Sequence, residues 1–345
     1  MAIALFAGLA RLTFAQQSPA NADVEIVHVR GPIYMLVGAG GNVTVSAGPD
    51  GVLMVDTGLA QRADRLLAAV RSLQASMAGN GLPVWRWGAE TRSNLPAMFS
   101  PDAPLKPIRY IINTHAHADH AGGNDTLGAA GETITGGNVA GNISDAGKGA
   151  SIIAHENVLN RMSAADGDQP AAPFRAQPTD TYHTKRLNLS HFFNGEGVQI
   201  IAEPLAHTDG DSIVVFRYSD VIATGDVFVQ TSYPVIDLAR GGSIDGVLAA
   251  LNHILALSVP EFRTEGGTMI VPGHGRLSDS ADVAYYRDMV TIIRDRVRDM
   301  IGKGMTIEQV KAARPTRDYD PRFGAITGAW TTDMFVEAAY QSLKK

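Results

Sequence analysis

The twelve residues "NTHAHADHAGGN", from 113 to 124, constrain this chain more than any other stretch. His115, His117, Asp119 and His120 fall within six positions, although the chain has only 10 histidines among 345 residues. The apolar segment "IRYII" runs directly into them, which is typical of a buried strand that ends at the motif. Side chains two residues apart point to the same side of an extended segment. The spacing therefore predicts a metal site at the end of a strand.

The available ligand types narrow the choice of metal. The chain contains no cysteine, which excludes disulfides, thiolate metal ligands and a cysteine nucleophile. Imidazole nitrogen and carboxylate oxygen suit zinc. Manganese and iron accept the same ligands, so zinc is the expectation and the other two stay open.

The pattern of an apolar strand followed at once by His or Asp recurs three times downstream. "QIIAEPLA" leads to His207, "VIAT" leads to Asp226 in "TGD", and "TMIV" leads to His274 in "PGHG". Folds of the α/β class place their sites at the carboxyl ends of strands. We therefore expect these strand ends to meet at one cavity edge.

The order of predicted elements favours a single α/β domain over residues 24–302. Strand-rich and helical segments alternate in two similar blocks, with no shift of composition that would mark a linker between them. Such a pattern predicts sheets inside and helices outside. Two further helical patterns, "TIEQVKAA" and "WTTDMFVEAAYQSL", predict a C-terminal helical extension over residues 303–345.

The first residues and the charge indicate where the protein works and what it binds. Residues 1–15 are apolar, end in "TFA" and precede polar "QQSPANAD", as in a secretory signal, which predicts a periplasmic or secreted protein. No other segment reaches the roughly 18 apolar residues of a membrane span. The net charge of −6 offers no basic surface for nucleic acid, so we expect a small-molecule substrate. Oligomeric state has no readable signal.

Together the four motifs resemble those of the metallo-β-lactamase superfamily over roughly residues 24–280. "VDTG", with Asp56, is similar to the early acidic motif of that family. The resemblance implies an αββα sandwich with a metal pair at one edge, between the two sheets. The residues that it implies as ligands are His115, His117 and His207 for the first metal, Asp119, His120 and His274 for the second, and Asp226 as a bridge. It implies that Asp56 lies beneath the site and orients a ligand.

A metal pair of this kind would define the chemistry. Two divalent ions about 3.5–4 Å apart lower the pKa of a shared water, so that a bridging hydroxide becomes the nucleophile. We expect Asp119 to orient this hydroxide and Asp226 to fix the distance between the metals. The expected enzyme is a dinuclear zinc hydrolase that cleaves an ester, thioester, lactone or related amide bond.

Asp226 also separates the alternatives within the family. β-Lactamases of the superfamily generally lack a bridging carboxylate at this position, whereas thioesterase-like and lactonase-like members carry an aspartate. A β-lactam hydrolase is therefore the alternative, and a non-hydrolytic metal-binding or redox member is a further one.

The remaining histidines are expected to have other roles. His155 follows a strand and opens a helix, which favours either a role in orienting a ligand or helix capping over direct ligation. His28 and His253 are expected to be structural. His183 and His191 lie beside a loop and are not included among the ligands. Three aromatic residues near the ligand segments fit either a pocket wall or the core: Tyr182, Phe228 and Tyr233.

Overall fold

The computed structural model describes most of the chain. The described ranges are 23–79, 106–133, 148–165, 170–189, 192–260 and 266–344. The predicted signal segment 1–15, most of the predicted 78–107 insertion, and His191 lie outside these ranges.

Within the described ranges, the first sheet has seven strands in chain order. They are β1 (Glu25–Arg30), β2 (Ile33–Val37), β3 (Val43–Gly48), β4 (Gly51–Val55), β5 (Ile108–Ile112), β6 (Ser151–His155) and β7 (Asp180–Tyr182). Strands β1 to β4 pair antiparallel, and β4 to β7 pair parallel. Because β4 and β5 are parallel, the segments that follow them leave the sheet at the same edge.

The second sheet has five strands in the part of the chain that the structure describes. They are β8 (Arg186–Asn188), β9 (Val198–Ala202), β10 (Ser212–Phe216), β11 (Val221–Ala223) and β12 (Met269–Val271), and their order across the sheet is β12-β11-β10-β9-β8. Only β11 and β12 pair parallel, so both also end at one edge of this sheet. The other neighbours are antiparallel.

The longer helices follow the predicted pattern, and three short helices add to it. They are α1 (Ala63–Gly79), α2 (Ala118–Ala121), α3 (Asn124–Ala129), α4 (Glu156–Ser163), α5 (Ile244–Leu257), α6 (Ser280–Gly302), α7 (Ile307–Ala313), α8 (Asp320–Phe323) and α9 (Thr332–Leu343). Polar caps set several starts: Ser243 accepts a hydrogen bond from the amide of Gly246, and Asp279 accepts from two amides of α6. The sequence predicts none of the short helices α2, α3 and α8.

Alternation along the strands divides the core into layers. In β4, Leu53 and Val55 pack between the sheets, whereas Val52 and Met54 face α1 on the outside. Side chains of the second sheet alternate in the same way, with outer positions packed on α5, α6 and α9. The predicted αββα sandwich is therefore confirmed.

The C-terminal helices pack on the core of the second sheet. Phe335 and Val336 of α9 are buried in the same cluster as Ile254 of α5 and Val290 of α6. The boundary at residue 302, between the expected domain and its C-terminal helical extension, stays a prediction. Among the described residues, no helix is both long and apolar enough to cross a membrane.

Candidate metal centre

The segments that follow β5, β9, β11 and β12 meet at one edge of the sandwich. His115 comes three residues after β5, and the chain then turns into α2, which carries Asp119 and His120. The second sheet contributes the residues that follow its strands: His207, Asp226 and His274. The predicted convergence of strand ends is confirmed.

The seven predicted ligands form three overlapping groups, in each of which the ligand atoms lie within 4.8 Å of one another. The groups are His115, His117 and His207; Asp119, His120 and His274; and His115, His120 and Asp226. The first two groups match the two ligand sets that the sequence resemblance implies. Asp226 belongs to the third group, which takes one member from each set.

Distances place Asp226 between the two sets. Its Oδ1 atom lies 3.1 Å from His120 Nε2 and 3.5 Å from His274 Nε2. Its Oδ2 atom lies 3.8 Å from His207 Nε2. One carboxylate thus faces both sets, as a bridging ligand must.

Two histidines have an outer nitrogen engaged by an acceptor. His207 Nδ1 lies 2.7 Å from the carbonyl oxygen of Val235, and His120 Nδ1 lies 2.7 Å from Asp56 Oδ2. A carbonyl or a carboxylate only accepts, so in each ring Nδ1 carries the hydrogen. In the neutral ring Nε2 then carries a free lone pair, which points into the site.

The same logic applies to His115 and His117. Thr114 Oγ1 donates to Asp56, 2.7 Å away, so it accepts from His115 Nδ1 at 3.1 Å. His117 donates through Nε2 to Asp237 Oδ2 at 3.0 Å, which leaves its Nδ1 as the inward lone pair. His117 Nδ1 and His207 Nε2 therefore face each other at 2.8 Å without a hydrogen between them in the neutral rings.

Three buried polar atoms without hydrogen-bond partners also indicate a site for cations. His115 Nε2, Asp119 Oδ2 and Asp226 Oδ1 are buried and have no hydrogen-bond partner. Leaving such atoms unpaired costs about 1–3 kcal/mol each, more when charged. Cations would satisfy all three, and the donor set of nitrogen and oxygen fits a divalent metal.

The pKa directions also fit cation binding. Burial lowers the pKa of His207 to about 4, and the nearby His117 ring lowers it as well. Burial opposes ionisation of Asp226, yet His120 and His274 outweigh it and hold the pKa of this carboxyl well below its usual range. Burial opposes protonation of His120, but the carboxylates of Asp226 and Asp56 raise its pKa. A metal would therefore replace protons in this second set.

Asp56 lies beneath the site, where the resemblance implied. Its carboxylate accepts from Thr114 N at 2.8 Å, in addition to the bonds from Thr114 Oγ1 and His120 Nδ1. The residue has a φ of 66°, a conformation that aspartate tolerates better than most side chains. Asp56 thus orients residues on both sides of the motif.

Several residues that hold the ligands were not predicted. Asp237 joins the outer nitrogen of His117 to Arg240, whose guanidinium lies 2.6 Å from Asp237 Oδ2. Asp211 accepts from the amide and hydroxyl of Thr208 and so stabilises the loop that carries His207. Asp237 follows no strand, and the sequence therefore has no strand-end signal for it. Asp211 lies in "HTDGD", four residues after His207, and an acidic residue so close to a candidate ligand could have indicated a supporting role.

Four other histidines of the described ranges belong to none of the three groups. His155 Nδ1 accepts from Asn157 N and caps α4, as predicted. His28 pairs with the carbonyl of Gly31, and His183 is exposed. His253 pairs with Glu203 at 2.5 Å, and burial raises the pKa of that carboxyl to about 7. The three aromatic residues with open assignments are buried in the core: Tyr182, Phe228 and Tyr233.

Known proteins match this chain by family model and by fold. A model described as "Metallo-beta-lactamase superfamily" matches residues 36–274. No curated protein matches the chain. The stereoselective inverting sec-alkylsulfatase Pisa1 from Pseudomonas sp. superposes with a TM-score of 0.57 at 16% identity, over 92% of this chain and 50% of that chain. The DIM-1 metallo-β-lactamase superposes with a TM-score of 0.50 at 14% identity, over 78% of this chain and 98% of that one.

These likenesses differ in what they establish. At such low identities the two solved structures show a shared fold. This chain spans about half the length of the sulfatase chain. The family model covers most of this chain, including all seven residues of the metal-binding groups. The chain therefore belongs to the metallo-β-lactamase superfamily.

Proposed function

We propose that this protein is a dinuclear metal hydrolase, with zinc as the expected metal, that cleaves an ester, thioester, lactone or related bond in a small molecule. The observation that carries this proposal is the convergence of two ligand sets at one edge of the sandwich, with the Asp226 carboxylate between them. His115, His117 and His207 would hold one ion. Asp119, His120 and His274 would hold the other.

When bound, a metal pair in these two sets would supply Lewis acidity and would lower the pKa of bound water to near neutrality. The protein's own groups do the rest. Asp226 fixes the separation of the two sets through its two oxygens. The ring tautomers are held from outside by Asp56, Asp237 and the carbonyl of Val235, so the ligands need little reorganisation.

Asp119 is the proposed proton-transfer residue. Its Oδ2 atom lies 3.2 Å from His274 Nε2 and 3.9 Å from His120 Nε2, and it has no hydrogen-bond partner. Burial opposes its ionisation, but the pKa of Asp119 is lowered because His120 and His274 favour the carboxylate. A carboxylate here can orient a water molecule, accept its proton and pass that proton to the leaving group.

Asp226 also guides the choice of substrate class. Its position between the sets favours a bridging role, which supports ester-type substrates over a dedicated β-lactamase. β-Lactam hydrolysis is the alternative, and it predicts a different preferred substrate in the same assay.

The test combines metal content with a substrate panel. Purified protein would be assayed with S-lactoylglutathione, a homoserine lactone, bis-p-nitrophenyl phosphate and nitrocefin, before and after metal removal and zinc addition. We expect activity on a thioester or lactone that is lost on chelation and restored by zinc. Asp226→Ala and His117→Ala should both bind less metal and should lower activity by more than about 100-fold. Changing a residue that only hydrogen-bonds a ligand already costs about 10–100-fold in metal affinity or activity.

The control is His253→Ala, which removes a histidine that pairs with Glu203 outside the three metal-binding groups. This variant should retain metal and activity. Full activity in metal-free protein, or hydrolysis of none of the four substrates by the zinc-loaded enzyme, would contradict the proposed function.

A further inference from the structure

The loop between β2 and β3, residues 38–42 with the sequence "GAGGN", ends in a buried asparagine outside the proposed ligand set. Asn42 Nδ2 donates to the carbonyl of Pro272 at 2.9 Å and to that of Gly275 at 2.9 Å. The amide of Asn42 donates to Gly273 O at 2.7 Å. These three bonds reach both sides of His274.

The same loop contacts Asp119 and His120 from the other side. Gly41 N donates to the carbonyl of Asp119 at 3.0 Å. A Cβ atom at Gly41 would lie 2.6 Å from His120 Nε2, so only glycine lets the backbone approach this closely. The loop therefore links Asp119 and His120, beside the first sheet, to His274, beside the second.

The first ligand set is linked between the sheets by different bonds. Ser212 N donates to the carbonyl of Thr114 at 2.9 Å, which ties the segment before His115 to β10. His207 is held by the bond of its ring to Val235 and by Asp237 N, which donates to the His207 carbonyl. Asn42 takes part in none of these bonds. Its effect should therefore fall mainly on the second set.

We propose that Asn42 is a positioning residue that holds His274 against Asp119 and His120 and thereby sets the affinity of the second metal ion. The inference rests on the proposed dinuclear function. Removing the Asn42 side chain takes away the donors of two carbonyl groups on either side of His274, so the loop of residues 272–275 can move. A ligand displaced by about 1 Å no longer fits its metal.

Asn194 offers a matched control at the other end of β3. It is also buried, and its Nδ2 donates to Ser46 Oγ and to the carbonyl of Gly51, both at 3.1 Å. It too links the two sheets, but it contacts no residue of the metal-binding groups. Asn42→Ala and Asn194→Ala each remove two Nδ2 hydrogen bonds, near the site and away from it. Asn194→Ala also removes the acceptor of the Asp50 amide and places alanine at a φ of 53°, so it should cost at least as much stability as Asn42→Ala.

The experiment measures zinc bound per chain during titration with a chelator, in wild type and both variants, and thermal unfolding of the metal-free proteins. We expect both variants to lose stability, while only Asn42→Ala binds one of its two ions about 10–100-fold more weakly. Asn42→Ser, which keeps one donor, should lie between wild type and Asn42→Ala. It also supplies the comparison if the alanine variant does not fold.

The outcomes separate this inference from the proposed function. Two ions in wild type, with equal affinities in Asn42→Ala or Asn42→Ser, would overturn the role of Asn42 alone. Equal weakening of both ions, or the same weakening in Asn194→Ala, would show a merely structural role and overturn it as well. Fewer than two ions in wild type would overturn the dinuclear function and this inference together.

Discussion

At the residue scale, the site depends on which nitrogen of each histidine carries the hydrogen. Neutral imidazole offers one lone pair, and a partner on the outer nitrogen decides that the lone pair points inward. Asp56 does this for His120, the Val235 carbonyl for His207, and Asp237 for His117. The candidate ligands and these partners thus form one hydrogen-bonded network.

Replacing Asp237 tests this coupling. Asp237→Ala removes the acceptor of the His117 Nε2 hydrogen, so the ring is free to change tautomer and orientation. We expect metal affinity to fall about 10–100-fold, measured by competition with a chelator. Asp318→Ala is the control, because Asp318 also pairs with an arginine at 2.7 Å but lies on the surface of the C-terminal helices. Equal affinities in the two variants would mean that Asp237 does not orient His117.

The candidate ligands could be proposed from the sequence, but most of their outer partners could not. His207, Asp226 and His274 each follow an apolar run, and that run is a readable signal. Asp237 follows no strand, and its contact with His117 spans 120 residues. The acceptor for His207 is a backbone carbonyl, which any residue provides, so side-chain type cannot reveal it.

At the element scale, strand ends determine the site and helices support it from outside. Long periodic segments such as α5 and α6 were predictable because their apolar faces repeat along the helix. The four-residue helix α8 has too few residues for such a pattern. The loop of residues 38–42 contains no metal-ligand residue type, so its contact with the site is visible only in the structure.

The C-terminal helix α9 supports the segment that follows Asp226. The Phe335 ring of α9 is fully buried and stacks on Tyr233, with centroids 4.8 Å apart. Tyr233 also donates to the carbonyl of Thr316. We expect Phe335→Ala to lower the free energy of unfolding by about 3–5 kcal/mol, measured by urea denaturation. Ile326→Ala, at a side chain that is 95% exposed, should have little effect. A loss below about 1 kcal/mol for Phe335→Ala would show that α9 does not stabilise this core.

At the scale of the whole molecule, the sandwich brings together groups that lie far apart in the chain. Asp56 lies near the start of the chain and His274 near its end. Asp56 nevertheless contacts His120, which belongs to the same candidate ligand set as His274. The layered architecture was predictable from alternating elements and from the family motifs. The substrate was not, because no residue pattern in the loops around the site encodes it. Much of the 78–107 insertion also lies outside the described residues.

The central claim, that two metal ions share Asp226, is tested most directly by zinc anomalous scattering from crystals of the zinc-loaded protein. We predict two peaks per chain about 3.5–4 Å apart. One should lie among His115, His117 and His207, and the other among Asp119, His120 and His274, with Asp226 contacting both. A single peak, or two peaks without Asp226 between them, would contradict the claim.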